Sequence, residues 1–305
     1  MATLIKRKID TPATLAIAGA ILFWSAGPIF IRYLAGYMDS WAQNMLRYIV
    51  GCLFWLPFLI YLGGTGQLDK RVWKRSVVPA TANIIMQSLW TMAFYYIEPA
   101  FANLLSKSST IWVIVLSMLI FAEERALLKS PRFRLGTILS VAGVTGVLIF
   151  KEDFSTGRTI TGVVIVMMQA FTWGVYTVSV KIAFKEIDVR SGFSVISIYT
   201  VFGLGVLWFV FGEPLRFSEF GLRPWFCIIF SAVTSISLSH VLYYYAVKRI
   251  GMTIPALTLL SLPFTVFGLS YIVFGETLNI YQLFFGVSLL VGAGISIWAQ
   301  EHLGK

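Results

Sequence analysis

Lys107 stands near the middle of an apolar stretch, residues 99–121, PAFANLLSKSSTIWVIVLSMLIF. Holding an ammonium at bilayer depth costs roughly 3 kcal/mol or more, so such a residue faces a partner or a wet cavity. Asn103, Ser106, Ser108, Ser109 and Thr110 surround it with polar groups of little bulk. Counted from the start of the stretch it lies ~12 Å in, at 1.5 Å per helical residue. Arg47 reaches a similar depth in another apolar segment. Two cations in one cavity repel unless an anion or a carboxylate sits between them. The chemistry on offer is therefore capture of a carboxylate or phosphate. In the competing reading Lys107 pairs with Glu98, and Arg47 bonds to Gln43, Asn44 or helix-end carbonyls.

Other residues are candidates for the remainder of such a pocket. Asn83, Gln87, Trp90, Thr91 and Phe94 recur at helical spacing on one face. They read as a cavity wall or as interhelical hydrogen bonding, which small polar side chains also provide. Ser237, His240 and Tyr244 share a face further on. His240 can change charge near neutral pH, or it can sit neutral, bonded to serine hydroxyls. Trp24, Trp90, Trp112 and Trp173 can stack on a ring or cation, or anchor at the lipid interface; Trp90 and Trp112 lie deepest. The set expected to bind substrate is Lys107, Arg47, Asn83, Gln87, Trp90, His240, Tyr244 and Trp112. No aspartate or deeply placed glutamate is expected in a span, with Glu98 the nearest carboxylate. No cofactor, metal or catalytic residue is expected.

These side chains must be positioned by helices that cross a membrane. Of 305 residues, 58% are hydrophobic and 12% charged, half the charge of a soluble domain. Apolar runs near twenty residues recur from end to end, too long for barrel strands. We read ten spans, at about 14–34, 41–62, 77–97, 99–121, 135–150, 160–184, 192–211, 225–247, 253–274 and 281–299. Cys52 and Cys227 fall inside spans, which argues against disulfides or a metal site. Pro28, Pro57, Pro255 and Pro263 interrupt helices as hinges or static kinks. Ala142 with Gly146, and Ser288 with Gly292, are small-xxx-small pairs suited to tight packing.

The formal charge of +10 does not point to nucleic acid, because the basic residues cluster in alternate loops. With the N-terminus in the cytoplasm, seventeen of the 24 Lys and Arg fall on the cytoplasmic side and four outside; Arg32, Arg47 and Lys107 remain at or within spans. This asymmetry puts both termini in the cytoplasm.

The chain also repeats itself. FWSAGPIFIRYL (from Phe23) aligns with TWGVYTVSVKIA (from Thr172), pairing Trp24 with Trp173 and Arg32 with Lys181. Tyr95-Tyr96 matches Tyr244-Tyr245 at the same offset, and FAEE (from Phe121) matches FGE (from Phe274). Gly136 and Gly286 open comparable small-residue helices. Five spans per half is an odd number, so the second half sits upside down, and inverted repeats hold mid-membrane sites at their interface. The expected fold is an all-α polytopic membrane protein, ten transmembrane helices as two inverted five-helix repeats. Its parts are a tail 1–13, a repeat 14–150, a connecting loop 151–158, a second repeat 159–300 and a tail 301–305.

On the Trp-bearing first helix of each half, Arg47, and the segment from YYYAVKRIG to FGE, the sequence resembles the drug/metabolite transporter superfamily, EamA type. The resemblance spans nearly the whole chain. It implies transport of small metabolites, often export, through a cavity lined by the first four helices of each half, with the fifth outside. Pro263 departs from the pattern, because the first half has SKSST at the comparable place. The expected function is a secondary transporter in the plasma (inner) membrane, exporting an amino acid or related organic acid by alternating access. Phosphosugars, nucleotide-type substrates or cationic amines are the alternative cargo. An intramembrane lipid-modifying enzyme would need paired acids or metal ligands, and a channel would need rings of like residues. The expected partners are a small-molecule substrate and the lipid bilayer, with the chain a monomer or weak homodimer.

Overall fold

The computed structural model describes residues 10–151, 156–215, 220–250, 255 and 258–303, and among these the secondary structure is helical. Residues 1–9 and 304–305 of the two expected tails and 152–155 of the connecting loop lie outside the described residues. The helices are α1 (Thr11–Leu34), α2 (Ser40–Gly64), α3 (Arg71–Ala93), α4 (Pro99–Ser106), α5 (Ser109–Ile120), α6 (Pro131–Ile149), α7 (Gly157–Ala183), α8 (Val189–Phe211), α9 (Leu222–Ser231), α10 (Ser239–Ile250), α11 (Leu262–Phe274) and α12 (Ile280–Leu303). Among the described residues eight spans are long and apolar enough to cross a bilayer, counting α4–α5 and α9–α10 as one each; the segment ending in α11 is shorter. α3 is less apolar, carrying Arg71, Lys74 and Arg75 in its first turns.

Local chemistry starts the helices where the sequence changes from polar to apolar. Asp10 caps α1 through the Ala13 N–H at 3.1 Å, with proline in the first turn. Asp39 accepts the N–H groups of Trp41 and Ala42 at 2.8 and 3.1 Å. Asp188, at the same offset as the tryptophan pair, caps α8 through Arg190. Such side chains satisfy orphan N–H groups of the first turn.

Packing obeys an exchange of the two halves. α1 packs on α10 and α11, and its counterpart α7 packs on α3 and on α4–α5. α2 meets α8, α4 meets α11, and α6 meets α12, each helix touching its own counterpart. This is the pattern an inverted repeat makes about a pseudo-twofold axis. The outer surface is apolar, with Leu222 at 90%, Phe209 at 85% and Ile272 at 78% exposure. The interior instead buries Gln43, Asn44, Arg47, Thr91 and Thr200. That arrangement suits lipid outside and polar contacts within.

The α6–α12 seam is the tightest contact. A Cβ on Gly143 would lie 2.5 Å from the Leu289 backbone nitrogen, and one on Gly292 would lie 2.5 Å from the Gly136 carbonyl and the Ser140 nitrogen. The small face of α6 is thus Gly136, Ser140, Gly143 and Gly146. Ala142 is exposed and Ser288 is half-buried with a bond to its own helix, so of each small-xxx-small pair read from sequence only the glycine, Gly146 or Gly292, reaches the contact.

Candidate functional site

The fourth span is not the continuous helix expected. It breaks between α4 and α5, at Lys107. The N–H groups of Lys107 and Ser108 donate to Leu104 and Leu105 at 3.1 and 3.0 Å, and those of Thr110 and Ile111 to Lys107 and Ser108 at 3.1 and 2.9 Å. These are three-residue turns in place of the α ladder. Ser106 Oγ donates to the Asn103 carbonyl at 2.7 Å, a local competition for backbone acceptors that unsettles a helix. Asn103 Oδ1 is buried without a hydrogen-bond partner among the described residues. The fourth span of the second half breaks too, in a short 3-10 turn at Leu259–Ser261 just before α11.

Lys107 is half-buried at this break, and its ammonium takes no hydrogen-bond or ion-pair partner among the described residues. Glu98 is engaged elsewhere, paired with Lys151 at 3.3 Å. Ser108 Oγ meets Met167 Sδ of α7 at 3.8 Å. Trp90 packs against the core that holds Leu104 and Leu105, the turn before Lys107, with its ring edge-on to Phe94 at 4.7 Å. Trp112 stands edge-on to Phe171 of α7 at 5.2 Å. Gln87 is half-buried and takes no partner among the described residues.

A second group forms around the eighth span, where a π-helical segment, Ala232–Leu238, separates α9 from α10. Arg47 is 3% exposed, and its Nε donates to Ser231 Oγ at 3.0 Å. Ser235 Oγ donates to the Phe23 carbonyl at 2.8 Å, tying the wide turn to α1. His240 follows, edge-on to Trp24 at 5.1 Å and against Phe193 at 5.0 Å. Its Nδ1 is buried without a hydrogen-bond partner among the described residues, and the rings of Trp24 and Phe193 flank the imidazole. Asn83 reaches neither group: its Nδ2 donates to Thr200 of α8 at 2.9 Å, and Thr91 donates to Asn44 at 3.2 Å. Both are interhelical ties. The Tyr244 side chain lies outside the described residues. Among the described residues no cluster of three or more His, Cys, Asp or Glu forms that could hold a metal.

At the end of the bundle away from the N-terminus lie two adjoining cavities, about 550 and 410 Å³. The larger is lined by Arg32, Glu98, Lys151, Glu276, Asn279 and Gln282, and the smaller by Arg32, Tyr33, Tyr95, Arg158 and Phe274.

Two matches decide the family. The EamA-like transporter family profile fits residues 11–149 and again residues 160–298. The chain belongs to the EamA-like transporter family. Its relatives include a protein of Archaeoglobus fulgidus named as an uncharacterized transporter, 21% identical over 96% of this chain and 100% of that one. A Methanothermobacter thermautotrophicus protein of the same description is 30% identical over 65% of this chain and 56% of its own length. The biotin transporter of Escherichia coli is 23% identical over 77% of this chain and 76% of that protein. A solved crystal structure shares the fold, with a TM-score of 0.65 at 15% identity over 96% of this chain and 99% of the other.

The sequence offered FGE as a repeat marker and as part of the family resemblance, with no role for its glutamate, yet Glu276 is 8% exposed. It accepts the backbone N–H groups of Ala100 and Phe101 at 3.0 and 3.1 Å, and the Ser270 hydroxyl. One repeat thereby caps the broken span of the other. Glu276→Ala leaves two buried N–H groups unpaired and is expected to lower stability by about 2–6 kcal/mol, at about 1–3 kcal/mol for each orphaned group. Unfolding in detergent checks it. Burial lifts the Glu276 carboxyl above its usual 4.5, with the bonds from Ser270, Ala100 and Phe101 opposing. A raised folded-state value favours folding when protonated: the contribution is full below 4.5 and is lost as pH climbs through the raised value. Wild-type stability should fall over that interval relative to Glu276→Gln, which cannot titrate.

Proposed function

We propose that this chain is a secondary transporter that exports a small metabolite bearing an anionic group, an amino acid or related organic acid, by alternating access between its two inverted repeats. The observation that carries the reading is the Lys107 ammonium, half-buried at a helix break and without a protein partner among the described residues. Non-helical backbone at membrane depth is tolerated where it is enclosed by protein or lines a cavity, and broken helices frame substrate sites in transporters. A carboxylate arriving there neutralises the charge that the protein leaves open. Trp90, Trp112 and Gln87 form the wall, with Asn83 further along α3 and Arg47, His240 and Tyr244 on other helices. The two repeats lie at 14–150 and 159–300, joined by 151–158.

The biotin-transporting relative supports this class, since biotin carries a carboxylate at the end of an alkyl chain. Export as the direction rests on the family resemblance. The distribution of basic residues supports a cytoplasmic N-terminus and C-terminus, with the plasma (inner) membrane as the proposed location. In that orientation the Asp10–Arg249 pair at 2.9 Å, and Glu186 with Arg75 and Arg71 at 3.6 and 3.7 Å, join the halves on the cytoplasmic side, while the two cavities open outward.

A thermal-shift screen of purified protein against amino acids, organic acids, phosphosugars and amines tests the substrate class, because a ligand of the folded state raises its stability by mass action. Stabilisation by carboxylates, lost in Lys107→Gln, is expected. Stabilisation by amines alone would reject the anion site.

A further inference from the structure

We propose that the paired cavities at the end away from the N-terminus form a separate anion-binding vestibule, built on Arg32 and Arg158, for a carboxylate or phosphate group. Arg32 lines both cavities, and Arg158 lines the smaller. Arg32 Nη1 donates to the Phe94 carbonyl at 2.6 Å, and Arg158 Nη2 donates to the Tyr95 carbonyl at 3.0 Å. These consecutive carbonyls end α3 and anchor the two side chains from α1 and α7 side by side. Each guanidinium carries five N–H donors, so each retains donors beyond its one carbonyl.

Neither guanidinium has a carboxylate partner among the described residues. The nearby acids are committed: Glu98 to Lys151 at 3.3 Å, and Glu276 to the start of α4 and to Ser270. Arg32, Arg158 and Lys151 thus outnumber the carboxylates of Glu98 and Glu276 along the two cavities, and the two guanidinium forks match planar or tetrahedral oxyanions. Tyr33 and Phe274 supply the flanking surface. Such a site collects anions at the mouth of the bundle, independently of what Lys107 holds.

The test keeps the two sites apart. Full-length Lys107→Gln protein in phosphatidylcholine nanodiscs is dialysed against radiolabelled inorganic phosphate at fixed ionic strength. One saturable equivalent is expected to remain, and adding Arg32→Gln and Arg158→Gln should weaken it at least tenfold. Absence of saturable binding in Lys107→Gln, or binding within twofold after the two further changes, overturns the proposal and leaves both arginines as caps of α3. Should the triple variant fail to fold, Arg158→Gln in the Lys107→Gln background carries the comparison: a threefold or greater weakening is expected, and none overturns it. Phosphatidylglycerol in the discs separates the sources of the anion. A raised apparent Kd assigns the occupant as a headgroup and an unchanged one as a free anion, and the site stands in both. Because Lys107 is already neutral, failure here leaves the transport reading untouched, and failure of that reading leaves the vestibule.

Discussion

Replacing Lys107 by glutamine is expected to lower transport of an anionic substrate by about 10- to 100-fold, while leaving the protein as stable as before or more so. The loss follows from one charge-assisted hydrogen bond, worth about 1.5–3 kcal/mol, at tenfold per 1.4 kcal/mol. The gain follows from removing a charge held at membrane depth without a counter-charge, which burdens the folded state. A structural lysine would behave in the opposite way, because breaking an engaged buried charge is destabilising. Proteoliposome uptake and detergent unfolding, measured on the same preparation, distinguish the two. Uptake unchanged by the substitution would count against the role. A stable and inactive variant is the signature of a site whose polarity is retained for function.

The second large effect lies far from Lys107. Gly292→Leu is expected to prevent accumulation of folded protein, because even the first added carbon would press to 2.5 Å on the backbone of α6. Overpacking costs about 1–3 kcal/mol where side chains can give way, and backbone cannot. α6 and α12 would be forced apart along the whole seam. Gly205→Ala, in α8, meets nothing within 4 Å. It should hold or raise stability, by up to about 1 kcal/mol from helix propensity. Size-exclusion profiles of the two variants in parallel separate a seam effect from a general intolerance of glycine replacement. Equal profiles would mean that the seam is looser than its geometry.

The span pattern and the repeat were legible because hydrophobic length and offset are one-dimensional signals. Trp24 with Trp173, and the caps Asp39 with Asp188, carry the inverted architecture in plain view. The break at Lys107 was half legible: SKSS marked a polar interruption, yet loss of the α ladder depends on where each serine finds an acceptor. The π segment left no such mark, since its serines bond to the carbonyls of Phe23 and Gly51 on other helices. Asn83 and Thr91 shared a face with Trp90 as periodicity predicts, but periodicity does not say which neighbour that face meets, and Thr200 and Asn44 claim them. Glu276 was missed because its burial comes from a helix start in the other repeat. Asn279 and Gln282 were readable: NIYQ is a capping box, in which the Gln282 N–H meets Asn279 Oδ1 at 2.8 Å and the Asn279 N–H meets Gln282 Oε1 at 3.1 Å.

Whether a dissolved guest can reach position 107 is open to direct measurement. Lys107→Cys, in a chain whose Cys52 and Cys227 are replaced by serine, is treated with a small water-soluble methanethiosulfonate reagent in the presence and absence of the best stabilising anion. Rapid modification, slowed at least several-fold by the anion, is the predicted result. A thiol that stays unmodified in folded protein, with or without the anion, would contradict an accessible binding site at the helix break.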